Sequence, residues 1–277
     1  MCKTKNILFI LVALWLCMAC WMAPAFAASI QKPVIYSYYW PIDKGQKDLL
    51  NWTMETPSIV DIPPQSVQKW LDAEAYWAKK GKIILYRVHP FRGINTEHEM
   101  YKLFAKNMEK ATGIAIDEIP TKMTIKQGKM FVNVLKRVRR DYPDRIIAVW
   151  STRFWNSEKS FVLVAIRDYA DMFIPQIYIA QRAAQKHGFG IFKRTLESVE
   201  AFAPGITPKT IAGLGVHSAM ADNPSENFGD HLSAQIRFLR TDPFFNDIMG
   251  IAIYAPVYLS VEDQKRIDSE LKKYFSR

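Results

Sequence analysis

The stretch "TGIAIDEIP", residues 112–120, is a short apolar run that ends in two adjacent acids, Asp117 and Glu118, and is closed by Pro120. A run that is apolar throughout, rather than alternating apolar with polar, suits a strand of a parallel sheet covered on both faces. One such run proves little, so the question is whether the pattern repeats.

It repeats eight times. The strand candidates are "PVIYSYYW" (33–40), "SIVDIP" (58–63), "KIILYRVHP" (82–90), "GIAIDEI" (113–119), "RIIAVWSTR" (145–153), "MFIPQIYIA" (172–180), "KTIAGLGVHS" (209–218) and "GIAIYAPVY" (250–258). Helical patterns separate them. Phe131, Val134, Leu135 and Val138 follow helical spacing, and Tyr142-Pro143 stops that helix. Ser260, with Asp263 three residues later, opens the last helix, whose stripe is Ile267, Leu271 and Phe275. Between the first two strands only "KGQKDLLNWT" (44–53) is available for a helix. No Gly/Ser linker, charge block or repeat divides the chain. Eight strand–helix units predict a single (β/α)8 TIM barrel. An open, doubly wound sheet is the alternative, but it lacks a Gly-rich first turn here.

The first 27 residues stand apart. Lys3 and Lys5 precede an apolar stretch from Ile7 to Met22, and Ala25-Phe26-Ala27 has the small-x-small form of a cleavage site. This predicts a signal peptide over residues 1–27 and a catalytic barrel over residues 28–277. An uncleaved membrane anchor and a lipoprotein site at Cys20 are the competing readings. Cys2, Cys17 and Cys20 all lie in this segment, so the mature chain is expected to have no disulfide, thiol nucleophile or thiolate metal site. A cysteine-free exported chain fits a bacterial periplasm or exterior, with no membrane attachment after cleavage. Removing Lys3 and Lys5, with no acid lost, lowers the formal charge from +10 to +8. The remaining basic residues are spread over helix faces such as Lys136-Arg137-Val138-Arg139-Arg140, without interleaved aromatics, so no nucleic-acid partner is expected. A monomer is expected.

Barrels of this class carry their chemistry at the C-terminal ends of the strands. Those ends read Tyr38, Trp40 and Asp43; Asp61; Arg87 and His89; Asp117 and Glu118; Trp150 and Arg153; Gln176 and Tyr178; His217; and Tyr254 with Tyr258. Aromatic faces beside carboxylates, Arg and Gln suit a sugar, whose C–H faces stack and whose hydroxyls need donors and acceptors. Core packing accounts equally well for any one Tyr or Trp. The whole set, at matching positions, carries the signal. It predicts a cleft for a carbohydrate polymer or oligosaccharide, lined by Tyr38, Trp40, Arg87, His89, Trp150, Arg153, Gln176, Tyr178, His217 and Tyr254.

Within a regular strand Asp117 and Glu118 would point to opposite faces. At the last turn of the strand, with Pro120 leading the chain out of the ladder, both can reach the mouth. Two close carboxylates disfavour each other's ionisation, which yields an acid beside an anion. Glycoside hydrolysis needs such a pair. The expected roles are Glu118 as general acid and Asp117 as nucleophile or electrostatic partner. The alternative is that the two acids are bound by Arg87, Arg153 or a helix N-terminus.

The segment "GIAIDEIP" resembles the fourth strand of the spherulin-4-like glycosidases and, more distantly, is similar to exported barrels acting on polygalactosaminide. The resemblance covers about eight residues plus the barrel pattern. It implies a (β/α)8 barrel that cleaves an amino-sugar exopolysaccharide, with the strand-four Asp and Glu in the site. The third strand, with Arg87 and His89, departs from that family, and no Glu ends the fifth or sixth strand. Chitinase-type barrels are also similar, but their D-x-x-D-x-D-x-E spacing is absent, since Ile119 stands where the final Glu would be.

His89 and His217, at the ends of strands three and seven, could bind a metal together with Asp117. No H-x-H or H-E-x-x-H pair is present, so no metal or other cofactor is expected. The motifs G-x-S-x-G, the P-loop and G-x-G-x-x-G are all missing. Three function classes remain: an exported glycosidase, a catalytically silent carbohydrate-binding barrel, and a metal-assisted hydrolase.

Overall fold

A computed structural model describes residues 33–38, 55–63, 68–215, 228–254 and 259–275. Eight parallel strands are present: β1 (Val34–Tyr38), β2 (Ile59–Ile62), β3 (Ile83–Val88), β4 (Gly113–Ile119), β5 (Ile146–Ser151), β6 (Met172–Pro175), β7 (Ile211–Gly215) and β8 (Gly250–Tyr254). They run in the order β6-β5-β4-β3-β2-β1-β8-β7. Parallel bridges from Phe173 to Thr210 and from Gln176 to Gly213 join the two ends. The result is a single (β/α)8 barrel, as the repeated runs predict.

Among the described residues the helices are α1 (Gln68–Lys79), α2 (Glu97–Met108), α3 (Ile125–Asp141), α4 (Ser160–Tyr169), α5 (Gln181–His187), α6 (Gly190–Phe202), α7 (Phe228–Thr241) and α8 (Val261–Phe275). None of them is long and apolar enough to cross a membrane. The expected signal segment and the short helix at 44–53 lie outside the described residues.

Local rules place the helix ends. In α3, the Thr124 side chain accepts from the Gln127 backbone N–H and Gln127 Oε1 accepts from the Thr124 backbone N–H, a reciprocal cap worth about 1 kcal/mol. Phe131, Val134, Leu135 and Val138 are its buried stripe, and Tyr142 is its C-terminal cap. Thr96 and Glu99 cap α2 in the same way. Ser260 Oγ accepts from the Asp263 amide at 3.0 Å to start α8, which buries Ile267 and Leu271.

Both sheet faces are covered, which is why the strands lack strict alternation. Val88, Ile114, Ile116, Ile147 and Val149 pack outward with Phe104, Phe131 and Leu163 of the helices. Inside, Val34, Tyr36, Tyr38, Ile59, Leu85, Ala115, Ala148, Trp150, Ile174 and Ala252 fill the lumen. Small residues on β4, β5 and β8 leave room there for Tyr36, Tyr38 and Trp150.

The sequence runs overshoot the strands. β3, β5 and β6 end at residues 88, 151 and 175, short of the runs' limits at 90, 153 and 180. The apolar run continues into the rim loops, whereas a strand lasts only as long as a neighbour supplies ladder partners.

Candidate active site at the strand C-termini

The opening stretch holds the main local irregularity. Ile116 pairs with Val149 and Ile119 pairs with Ser151, so Asp117 and Glu118 together oppose Trp150. This is a β-bulge, and Glu118 is its extra residue with φ +56°, in the left-handed region that favours glycine. The bulge resets the alternation. Ile116 faces out, Asp117 faces in, and Ile119 faces out again instead of occupying the lumen.

The two acids therefore occupy different environments. Asp117 is 3% exposed. Its Oδ2 accepts from the Tyr38 hydroxyl at 2.5 Å and lies 3.4 Å from His89 Nδ1. Its Oδ1 is buried and has no hydrogen-bond partner among the described residues. Glu118 is exposed, with its Oε2 3.8 Å from Arg92 Nη2.

Burial pushes the Asp117 carboxyl up from 3.8 to about 6. Arg87 and the Tyr38 bond oppose that rise, while Asp61 and Glu118 add to it. Burial, Arg92 and Arg87 push His89 down to about 4. The His89 contact is thus a neutral imidazole beside a carboxyl at neutral pH, not an ion pair. A raised pKa is found at Asp117, the residue expected from sequence to be the nucleophile or electrostatic partner.

Beneath Asp117 lies a second buried acid. Asp61, fully buried, accepts from Tyr36 Oη at 2.8 Å, Trp150 Nε1 at 3.1 Å and Arg87 Nε at 3.1 Å, and again from Arg87 Nη2. Arg87 is 2% exposed, and its guanidinium carbon lies 3.5 Å from the centre of the Tyr38 ring. Burial works against the arginine's charge, but Asp61, Tyr38 and Asp117 outweigh it and leave its pKa raised. Burial also raises Asp61. The pair is ionised, because a neutral Asp61 would leave a buried guanidinium without its counter-charge.

Aromatic rings close the walls. Tyr38 meets Trp150 edge-on at 5.2 Å and Tyr254 at 4.5 Å, and Tyr178 lies 5.4 Å from Tyr254. A Cβ on Gly215 would stand 2.8 Å from Tyr178 Cδ1, so the close approach of that ring requires glycine there.

The structure brings Tyr38, Arg87, His89, Asp117, Trp150, Tyr178 and Tyr254 together, but not all as lining. Arg87 and Trp150, expected to face substrate, are buried below it. Arg87 is committed to Asp61 and Tyr38, and Trp150 has its N–H on Asp61 and its ring against Tyr36 and Tyr38. Neither Asp117 nor Glu118 is bound by Arg87 or Arg153; Arg87 pairs with Asp61 and Arg92 approaches Glu118. Gln176 is half-buried beside Gly213. Arg153 is exposed and makes no hydrogen bond or ion pair among the described residues. Trp40 and His217 lie outside the described residues, as do Asp43 and Tyr258.

Sequence alone does not single out Tyr36 or Arg92, and it offers Asp61 as a strand-end acid behind Asp117 and Glu118. The spacing of Tyr36 and Tyr38 in "YSYYW" does put both on one strand face, a usable signal. Nothing local marks Arg92. Among the described residues no group of three or more His, Cys, Asp or Glu is placed to hold a metal ion.

No protein-family model matches the chain, and no curated protein matches it. Solved structures with the same architecture do. An endo-β-N-acetylglucosaminidase from Cordyceps militaris is 10% identical with a TM-score of 0.62, covering 87% of this chain and 91% of its own. A chitinase from Chromobacterium violaceum is 10% identical with a TM-score of 0.61, covering 86% and 99%. A GH26 endo-β-1,4-mannanase from a Bacillus species is 13% identical with a TM-score of 0.56, covering 81% and 78%. At these identities the likeness establishes the barrel fold and leaves the reaction to be argued from the site.

Proposed function

We propose that the protein is an exported glycoside hydrolase acting on a polysaccharide, with Asp117 as its central acid. One observation carries this reading. A buried carboxyl at the fourth strand end has one oxygen on Tyr38 and the other unpartnered among the described residues, below the half-buried His89, Gln176, Tyr178 and Tyr254. An acid whose pKa is pushed to about 6 retains its proton far better than an exposed one, which suits a donor to a leaving glycosidic oxygen. Glu118, on the bulge beside Arg92, supplies the second carboxylate. The solved structures named above are an endo-β-N-acetylglucosaminidase, a chitinase and an endo-β-1,4-mannanase, which favours a sugar substrate. The resemblance of "GIAIDEIP" to the spherulin-4-like glycosidases points to an amino-sugar exopolysaccharide, and Ala25-Phe26-Ala27 supports export.

The test is reducing-sugar release by the purified mature protein from a panel of exopolysaccharides that includes amino-sugar polymers. Turnover should fall as pH rises through about 6, because the donor loses its proton there. Release from no polymer, with retained binding, would move the protein to a second reading, a silent carbohydrate-binding barrel. The exposure of Glu118 and the outward-facing Ile119 favour that alternative. Inhibition by a chelator would instead favour the metal-assisted reading, with His89 and His217 as ligands.

A further inference from the structure

We propose that Asp61 and Arg87 are a positioning pair for Asp117: Asp61 fixes the guanidinium, the guanidinium lies flat on Tyr38, and Tyr38 aims its phenol at one carboxyl oxygen so that the other is left for a ligand. The inference rests on the reading of Asp117 as the working acid. Asp61 and Arg87 are not catalytic residues themselves, because both are buried below the mouth.

Three contacts form the chain. Asp61 receives Arg87 through two nitrogens, and Tyr36 and Trp150 take its remaining acceptor positions. This leaves Asp61 no freedom to turn. Arg87 then lies 3.5 Å from the Tyr38 ring centre, and Tyr38 reaches Asp117 Oδ2 at 2.5 Å. A buried ion pair is weak evidence for stability, since well-packed apolar residues of similar volume often do as well. Among the described residues the lumen is otherwise filled by apolar and aromatic side chains, so the pair is explained by what stands above it.

The pair also presents opposite charges to Asp117, with the arginine as the stronger influence. Arg87 lowers the pKa of Asp117 and Asp61 raises it, the arginine having the larger effect. Among the described residues, the other titratable groups around Asp117 are Tyr38 on β1, His89 and Arg92 after β3, Glu118 on β4, Tyr178 after β6 and Tyr254 on β8.

The experiment is a carbon-13 NMR titration of the Asp117 side-chain carboxyl in the whole mature protein, with Asp117→Asn used to assign the resonance. Arg87→Met should raise the midpoint and Asp61→Asn should lower it, each by roughly one unit. A merely structural role predicts shifts of the same sign, because loosened packing admits water and lowers the midpoint in both variants. Shifts of the same sign, or none, overturn the proposal. If a single variant does not fold, the double variant Asp61→Asn with Arg87→Met decides, since buried pairs tolerate joint removal better than the loss of one partner. Its midpoint should lie above that of the wild type, and a midpoint at or below it overturns the proposal. No substrate is present, so a chain that hydrolyses none of the polymers still answers this question.

Discussion

On the outside of the sheet, β3 to β5 press Val88, Ile114, Ile116, Ile147 and Val149 against helix side chains such as Phe104, Phe131 and Leu163. On the inside, the same three strands carry Arg87, Asp117 and Trp150, joined by Asp61 from β2. One face gains stability from apolar area removed from water, at about 25 cal/mol per Å². The other desolvates two acids and a guanidinium, which costs free energy unless each finds partners. The two faces of one sheet thus divide the work: the outer face supports the fold, and the lumen holds a site whose chemistry the fold must support.

That division can be broken in four ways. The largest effect is expected from Asp117→Asn, which should lower turnover by ~10²–10⁴-fold on any polymer the wild type cleaves while leaving the protein folded. Near-normal turnover would remove Asp117 from the chemistry and leave the lumen as packing. The outer face should respond in the opposite manner. Phe131→Ala, at a fully buried position, should destabilise by about 3–5 kcal/mol in denaturant unfolding, with the activity of the folded fraction unchanged. A loss of activity in protein shown to be folded would couple the two faces.

The third concerns pH. Asp117 has a folded pKa of about 6 against an ordinary 3.8, so the native state holds a proton that the unfolded chain has released. The folded state is therefore penalised as pH rises from about 4 to 6, and the penalty is absent below that window. Asp117→Asn, which carries no charge, should gain stability over the wild type across the window, reaching about 3 kcal/mol above it. A difference that does not change with pH would show that the carboxyl is not raised. The smallest effect is expected at the bulge. Glu118→Gly removes a side chain from the left-handed conformation and should stabilise by roughly 1 kcal/mol in thermal melts, whatever it does to activity. A loss of stability would mean that the Arg92 contact matters more than the strain.

Much of the architecture could be read without coordinates, because its signals are local. The runs at 113–119 and 250–258 contain their strands whole or nearly so. The helix through Phe131, Val134, Leu135 and Val138 stops at Tyr142 as its Tyr-Pro pair requires. Caps, apolar stripes and strand runs each act within a few residues, so a single chain carries them.

The site was legible only as a set of positions. That Asp117 and Glu118 end the fourth strand follows from counting runs. Which of them is buried depends on the register between β4 and β5, where Trp150 opposes both. Likewise Arg87 reads as a rim cation in sequence, yet it is buried against Asp61, 26 residues earlier. Eight near-continuous apolar runs separated by helical patterns determined the barrel. The environments of its charges were decided by tertiary structure, because desolvation and charge pairing depend on distances across the lumen, and only the closed barrel sets them.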